Sequence, residues 1–143
     1  MSWRAMLTIP ADVQSLSLIS QFVVSVAKLA RIEERIIQNL ELAADEASTN
    51  VIFHAYKKDS SQSFSVSCSF DDNNFCIELI DHGTPYDLEN VKKPNLHAQL
   101  EDRQIGGLGI YFIRTLMDSI EQKHDKNGTN RLIMKKILHD KKA

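Results

Sequence analysis

The sequence has little of what marks secreted, membrane-spanning and nucleic-acid-binding proteins. It has only two cysteines, Cys68 and Cys76, and both lie in apolar runs where a free thiol usually behaves as a small buried hydrophobe, so we expect neither a disulfide nor a metal site there. It has no run of about 18 consecutive apolar residues, which a membrane-spanning helix needs, and no apolar signal-peptide segment at its start. The net charge of −2 gives no general attraction to nucleic acid or to a membrane surface. We therefore expect a cytoplasmic protein with no direct nucleic-acid partner and no membrane association.

Glycine is also scarce, and four of the five glycines lie in two short segments, DHGTPYD at 81–87 and GGLGI at 106–110. Glycine lets a ligand approach the backbone closely, and a glycine stretch that opens a helix presents free N–H groups to phosphate. GGLGI is therefore a candidate phosphate cradle, although the same residues would also serve as a flexible hinge. The sequence contains neither a G-x-G-x-x-G fingerprint after a strand, nor a Walker A motif, nor the protein-kinase motifs, which argues against the conventional nucleotide-binding architectures.

Hydrophobic periodicity predicts five strands and three helices. The segment 3–9 ends at Pro10, which suits an edge strand because proline donates no ladder hydrogen bond. Apolar residues recur every three or four positions after Asp12, which can cap a helix, and again from Ile32 onwards, and both patterns are typical of helices. Serine alternates with apolar residues over 63–70, as in a half-buried strand. The remaining predicted elements are a strand at 75–80, a helix at 107–117, and a hairpin of strands 119–124 and 129–138 around Asn127-Gly128.

The order of these elements predicts an α+β fold formed by one domain over residues 1–143. We expect a two-layer sandwich, in which a mixed, mostly antiparallel sheet is covered on one face by about three helices. Residues 85–105 are polar and lack a sustained apolar period. We interpret them as a lid, because long loops in compact domains often have that function.

The second predicted helix carries a possible functional pair. Glu46 and Asn50 lie one helical turn apart in the segment ELAADEASTNVIFHAY at 41–56. Residues four apart on a helix share one face, with Cβ atoms about 5–6 Å apart, so a carboxylate and an amide here can address one small site. The pair flanks the apolar stripe of the helix. The alternative interpretation is an ordinary solvated helix face.

The three motifs, in this order and spacing, resemble the ATP-binding domain shared by histidine kinases, Hsp90-type chaperones, type II topoisomerases and MutL mismatch-repair proteins. The resemblance covers nearly the whole chain. The segments ELAADEASTNVIFHAY, DHGTPYD and EDRQIGGLGIYFIRTLMD are most similar to bacterial anti-sigma-factor serine kinases of the RsbW and SpoIIAB type. This resemblance implies the histidine kinase-like ATPase fold, with ATP and Mg²⁺ as cofactors.

The resemblance also implies roles for single residues. Asn50 would bind the Mg²⁺ that bridges the ATP phosphates, and Glu46 would be the general base that accepts a proton from the attacking hydroxyl. Asp81 would accept a hydrogen bond from the adenine amino group, and Gly83 would leave room for the base. Pro85 agrees with this branch of the superfamily, whereas the next residue is tyrosine where phenylalanine is more usual.

Further residues are assigned to the phosphate end by the same resemblance. Gly106, Gly107, Leu108 and Gly109 would form the phosphate cradle, and Arg103 would neutralise the phosphates when the lid closes. The alternative for Arg103 is an exposed lid charge. Thr129 matches the last short motif of the family and would contact the nucleotide, or it is an ordinary hairpin residue.

His54 follows Asn50 by four residues and invites two other interpretations, a phosphorylated histidine and a metal ligand. We expect neither, because packing and hydrogen bonding suffice at this position and no second His or Cys has metal-ligand spacing to it. We expect His82 and His124 to be solvated.

The function implied by the resemblance is an anti-sigma regulatory factor. Such a protein is a serine kinase that phosphorylates an anti-anti-sigma partner with a STAS domain, sequesters a sigma factor, and forms a homodimer through its N-terminal strand and first helix. One alternative is a non-catalytic module that binds ATP and switches partners by competition. Another is a detached histidine-kinase catalytic domain, which Pro85 disfavours.

Overall fold

The computed structural model describes residues 2–87 and 113–138 of the chain. The described elements form two layers, a sheet and the helices on one of its faces. In chain order they are β1 (Trp3–Pro10), a 3₁₀ turn (Val13–Ser15), α1 (Leu16–Leu29), α2 (Glu34–Asn50), a π-helical turn (Val51–Ala55), β2 (Ser63–Phe70), β3 (Asn74–Asp81), β4 (Ser119–His124) and β5 (Asn130–Ile137). Residues 113–116 are also helical.

The five described strands form one sheet in the order β1-β2-β3-β5-β4. All four pairings are antiparallel, so the sheet is more regular than the mixed arrangement expected. β1 lies at the edge of the sheet and ends at Pro10, as the missing ladder donor predicts. The α+β fold class is confirmed.

The core lies between the sheet and the two helices. The apolar residues of β2 are buried while most of its serines are more exposed, which confirms the strand predicted from alternation. Each large apolar side chain buried in this layer contributes about 1.5–3 kcal/mol of hydrophobic stabilisation. The largest fully buried side chains include Ile19 and Val23 of α1, Leu40 of α2, Phe64 and Val66 of β2, Phe75, Ile77 and Leu79 of β3, and Met134 of β5.

The start of the first helix differs in detail from the prediction. The carboxylate of Asp12 accepts a hydrogen bond from the backbone N–H of Gln14 at 2.9 Å. It therefore caps the 3₁₀ turn, and α1 begins only at Leu16, because that short turn satisfies the first N–H groups before the α-helix starts. The rest of α1 follows the predicted apolar stripe.

Two other predicted elements lie partly outside the described residues. Of the predicted lid at 85–105, only 85–87 are described, and of the predicted helix at 107–117, only 113–117. Ile113 and Met117 are buried against the core. Over the two described ranges, no helix is long and apolar enough to cross a bilayer.

The different exposure of the two cysteines provides a test of the strand register. Cys68 is buried on the core side of β2, and burial raises the pKa of its thiol to about 12. Cys76 is only half-buried, on the open side of β3. A thiol reagent should therefore modify one cysteine per folded chain, Cys76, and two cysteines in denaturant. Labelling of the folded chain should be slow, because the thiolate is the reactive species and burial also raises the pKa of the Cys76 thiol.

The control for this labelling is Cys76→Ser, which should leave the folded chain unreactive. A one-residue slip of a strand moves all its side chains to the opposite face. Equal reactivity of both thiols in the folded protein would therefore contradict the register of β2.

Candidate functional site

The end of α2 carries a buried amide without a partner. Asn50 has no exposed surface, and in the described part of the chain neither its side-chain oxygen nor its side-chain nitrogen has a hydrogen-bond partner. A buried polar group left unpaired costs about 1–3 kcal/mol. The alternative interpretation of the pair as a solvated helix face is therefore wrong for Asn50, because the residue is fully buried. An amide oxygen held in this way is suited to a ligand that supplies the missing contact.

Glu46 lies one turn before Asn50 and is half-buried. Burial raises the pKa of its carboxyl above the ordinary value, and the neighbouring Asp45 carboxylate raises it further. Burial also raises the pKa of Asp45, with a further contribution from Glu41. A carboxylate with a raised pKa is a stronger base, so Glu46 is suited to accept a proton from a hydroxyl group.

Asp81 provides a fixed acceptor at the end of β3. Its side chain is almost fully buried. Its Oδ1 accepts two hydrogen bonds, from the Gly83 N–H at 2.9 Å and from Nδ2 of Asn130 at 2.8 Å. Within residues 2–87 and 113–138, Oδ2 accepts none. One oxygen is thus used to orient the carboxylate, and the other is left for a ligand donor.

The loop after Asp81 packs directly against the end of the helical segment. The Thr84 N–H donates to the Ala55 carbonyl at 2.8 Å. A Cβ atom on Gly83 would lie 2.4 Å from that same carbonyl oxygen, so the close approach requires glycine at this position. The loop that follows the predicted adenine acceptor is therefore held by the turn that follows the predicted Mg²⁺ ligand.

Tyr56 provides a second hydrogen-bonded connection between the end of the helical segment and the loop after β3. Its hydroxyl donates to the Ser63 carbonyl at 2.8 Å and accepts from the His82 N–H at 2.8 Å. The residue follows the π-helical turn, and its own N–H bonds to the Val51 carbonyl, five residues back. π-helical turns are rare and often lie at functional sites. Here the turn leaves the Ala55 carbonyl directed at the loop instead of along a continuing helix.

Pro85 and Tyr86 begin the segment predicted to be the lid. Pro85 is exposed, whereas the Tyr86 ring lies 5.7 Å from the His54 ring, centroid to centroid. The Tyr86 carbonyl accepts a hydrogen bond from Nε2 of Gln122 at 2.6 Å. Burial, with a smaller effect of Asp81, raises the pKa of the Tyr86 hydroxyl. His54 thus packs against an aromatic ring, as expected for a residue whose role is packing.

Thr129 and its neighbour Asn130 lie at the start of the last strand, beside the end of β3. The Thr129 hydroxyl lies 3.3 Å from Nδ1 of His82, and the structure gives it no hydrogen bond to Asp81. The residue of this strand whose side chain donates to Asp81 is Asn130, which the sequence analysis missed. A signal was available, because Asn130 and the apolar residues Leu132 and Met134 alternate on the inward side of β5. His124, expected to be solvated, is exposed but is hydrogen-bonded to Asn130.

The junction formed by Gly83 and Thr84 with Ala55 therefore joins the end of β3, which carries Asp81, to the helical segment that carries Glu46 and Asn50. The predicted phosphate-binding residues Arg103, Gly106, Gly107, Leu108 and Gly109 lie outside the described residues.

The fold defines a class of α+β domain in which an antiparallel sheet is covered by helices and the loop after one strand packs against the end of a helical segment. The chain matches the family model described as the histidine kinase-like ATPase domain over residues 9–136. The protein belongs to this family.

Among curated proteins, the chain is similar to proteins named serine-protein kinase RsbW. It is 29% identical over 141 residues to that of Listeria monocytogenes, covering 96% of this chain and 88% of the relative. It is 30% identical over 125 residues to that of Bacillus thuringiensis, covering 85% of this chain and 78% of the relative. The resemblance to this type of kinase is thereby confirmed.

Among solved structures, the chain is similar to one in the crystal structure of the SiaB-SiaC complex from Pseudomonas aeruginosa. The TM-score is 0.59 at 12% identity, covering 94% of this chain and 89% of that one. This likeness supports the fold.

The unpaired amide of Asn50 should affect the stability of the ligand-free protein. Leucine has nearly the same shape, and replacing an unsatisfied polar group with an apolar one is neutral or stabilising. We expect Asn50→Leu to leave the free energy of unfolding of the ligand-free protein unchanged or to raise it by about 1–3 kcal/mol, as measured by urea denaturation.

The matched control is Asn130→Leu, because Asn130 is also buried but is fully hydrogen-bonded. Its loss leaves the partners of a satisfied amide unpaired, so we expect the free energy of unfolding to fall by about 1–3 kcal/mol. An equal loss of stability in the two variants would mean that Asn50 is satisfied in the ligand-free protein.

Proposed function

We propose that the protein is an ATP-dependent serine kinase that phosphorylates an anti-anti-sigma partner with a STAS domain and, in a second role, sequesters a sigma factor. Relatives named as serine-protein kinases align with 96% of the chain, which supports the catalytic role. The observation that carries the proposal is the pairing, one turn apart on α2, of a half-buried Glu46 whose pKa is raised with a buried Asn50 that has no partner.

Asn50 would hold the metal ion in this proposal. Its buried side-chain oxygen is a hard ligand of the kind that Mg²⁺ accepts, and Mg²⁺ usually takes few protein ligands. When bound, the ion neutralises the charge of the ATP phosphates. The orphaned amide fits this role because coordination would satisfy the acceptor that the fold leaves unpaired.

Glu46 would act as the general base. Phosphoryl transfer forms a bond between the serine oxygen and the γ-phosphorus of ATP and breaks the bond between that phosphorus and the bridging oxygen of ADP. The serine hydroxyl loses its proton in this step, and the Glu46 carboxylate would accept it. The environment that raises the Glu46 pKa makes this acceptance more favourable.

The base end of the nucleotide would bind at Asp81 and Gly83. Oδ2 of Asp81 would accept a hydrogen bond from the adenine amino group, while Oδ1 stays engaged with the protein. Pro85 and Thr129 would border this end. At the phosphate end, Arg103 and the segment 106–109 would surround the phosphates.

The first experiment is Glu46→Gln, which keeps the shape of the side chain but removes the base. We expect transfer of labelled phosphate from ATP to a STAS-domain protein of the same genome to slow by about 10²–10⁴-fold. ADP affinity, measured by calorimetry, should stay within about twofold, because the proton transfer contributes only to the transition state. The control is Glu34→Gln, an exposed residue in the first turn of the same helix, which should leave both quantities unchanged.

The pH profile gives a second readout of the same role. Glu46 acts as a base only when ionised, so the rate should fall as the pH drops through its pKa, at a higher pH than the 4.5 of an ordinary glutamate. Burial is the larger cause of the raised Glu46 pKa and would remain in Asp45→Asn, which removes only the smaller contribution of the Asp45 carboxylate. The acid limb should therefore move part of the way to lower pH. A wild-type rate of transfer by Glu46→Gln would show that Glu46 is not the general base. The alternative function, a non-catalytic ATP-binding module that switches partners, would instead be supported by a wild-type protein that binds the nucleotide and transfers no phosphate.

Assembly and location are further parts of the proposal. Trp3 and Met6 of β1 and Leu18 of α1 are exposed apolar side chains, at 37, 51 and 53% of their full exposure. They favour a homodimer formed through β1 and α1, and a monomer in sedimentation velocity at working concentration would contradict it. The activity would take place in the cytoplasm, because it needs ATP and a sigma factor.

A further inference from the structure

Three side chains form a hydrogen-bonded row across the last three strands of the sheet. Asp81 of β3 pairs in register with Asn130 of β5, and Asn130 pairs with His124 of β4. The buried amide of Asn130 lies in the middle. Its Nδ2 lies 2.8 Å from Oδ1 of Asp81 and 3.0 Å from the Gly83 carbonyl, and its Oδ1 lies 2.7 Å from Nδ1 of His124.

The orientation of this amide follows from its partners. Oδ1 of Asp81 and the Gly83 carbonyl are both acceptors, so the NH₂ group of Asn130 has to face them. A flipped amide would place its oxygen against two other oxygens. The oxygen therefore faces His124, and Nδ1 of that imidazole must carry a proton to donate. His124 thus holds the Asn130 amide in the orientation in which its NH₂ group donates to Asp81.

The two oxygens of the Asp81 carboxylate therefore differ in their hydrogen bonding. The N–H of Gly83 and the NH₂ group of Asn130 both donate to Oδ1, so this oxygen is engaged on the protein side. Oδ2 is left as an acceptor in a fixed position. A purine with an amino group at C6 can donate to it, whereas a purine with a carbonyl at C6 would oppose oxygen to oxygen.

We infer that Asn130, held by His124, is the positioning residue that makes the site select a 6-amino purine over a 6-oxo purine. The inference rests on the proposed ATP site and adds the origin of its base selectivity. Asn130 acts through Asp81 and not by touching the base. The neighbouring Thr129 does not share this role, because its hydroxyl is directed to His82.

The test compares ADP with inosine diphosphate, which carries a 6-oxo group, by calorimetric titration in Mg²⁺. We expect the wild-type protein to bind ADP at least about tenfold more tightly. Asn130→Ala should lower this ratio by about tenfold, because Asp81 loses a hydrogen bond to a charged group and its fixed orientation. The affinity for tripolyphosphate, which lacks a base, should stay within about twofold of the wild type. The matched control is Asn74→Ala, the same change at the opposite end of β3, and it should leave the ratio unaltered.

His124 supplies a second pair of variants, useful if Asn130→Ala does not fold. His124 is exposed, so its replacement should be tolerated. His124→Ala removes the N–H donor and should lower the ratio by about two- to threefold, and His124→Asn, whose amide nitrogen can take the place of Nδ1, should restore it.

The outcomes separate this inference from the proposed function. Loss of selectivity with retained tripolyphosphate binding supports the inference. An unchanged ratio of ADP to inosine diphosphate affinity in Asn130→Ala overturns the inference. If that variant does not fold, an unchanged ratio in His124→Ala overturns it. An equal loss of affinity for all three ligands overturns it as well. Equal wild-type affinity for the two nucleotides also overturns it, while the nucleotide site stands. A wild-type protein that binds neither nucleotide removes the proposed function and the inference with it.

Discussion

The hydrogen bond from the Thr84 N–H to the Ala55 carbonyl is the constraint on which the site depends. It joins the end of the helical segment to the loop after β3, and the contact is so close that only glycine fits beside it, at Gly83. The two elements come from distant parts of the sequence and carry different groups, an amide at Asn50 and a carboxylate at Asp81. In the proposed function, a rigid connection between them would fix the relation between the two ends of the nucleotide site before the nucleotide binds, which would lower the entropy cost of binding.

The same junction explains the π-helical turn. A regular helix would direct the Ala55 carbonyl along the helix axis towards the next turn. The wider turn at Val51–Ala55 instead releases this carbonyl to the loop, and Tyr56 then bridges to Ser63 and His82. Three hydrogen bonds outside the helix thus replace the regular helical bonds that end at this turn. This exchange is typical of functional sites, where regular structure is given up for geometry.

Much of the fold could be predicted from the sequence, because its signals are local. Alternation over 63–70 gave the correct bounds of β2, and the end of the apolar run at Ile80 correctly located the end of β3, at Asp81. The features that were missed depend on contacts between distant segments. The π-helical turn requires Ala55 to meet Thr84, and the role of Asn130 requires the register of β5 against β3. The full burial of Asn50 was missed for the same reason, since periodicity locates a helix face but not how far its neighbours enclose it.

The two ends of the junction differ in how their polar groups are satisfied. At Asp81, the Gly83 N–H, Asn130 and His124 form a closed set of donors and acceptors that leaves one oxygen open. At α2, Asn50 has no partner among the described residues, and the carboxyl of Glu46 is held where its charged form is disfavoured. The first arrangement stabilises the fold, whereas the second leaves a buried polar group unsatisfied, which lowers stability. In the proposed function, base selectivity at Asp81 and proton transfer at Glu46 would therefore be separated in space, so a change at Asn130 should affect which base binds without altering the chemistry at Glu46.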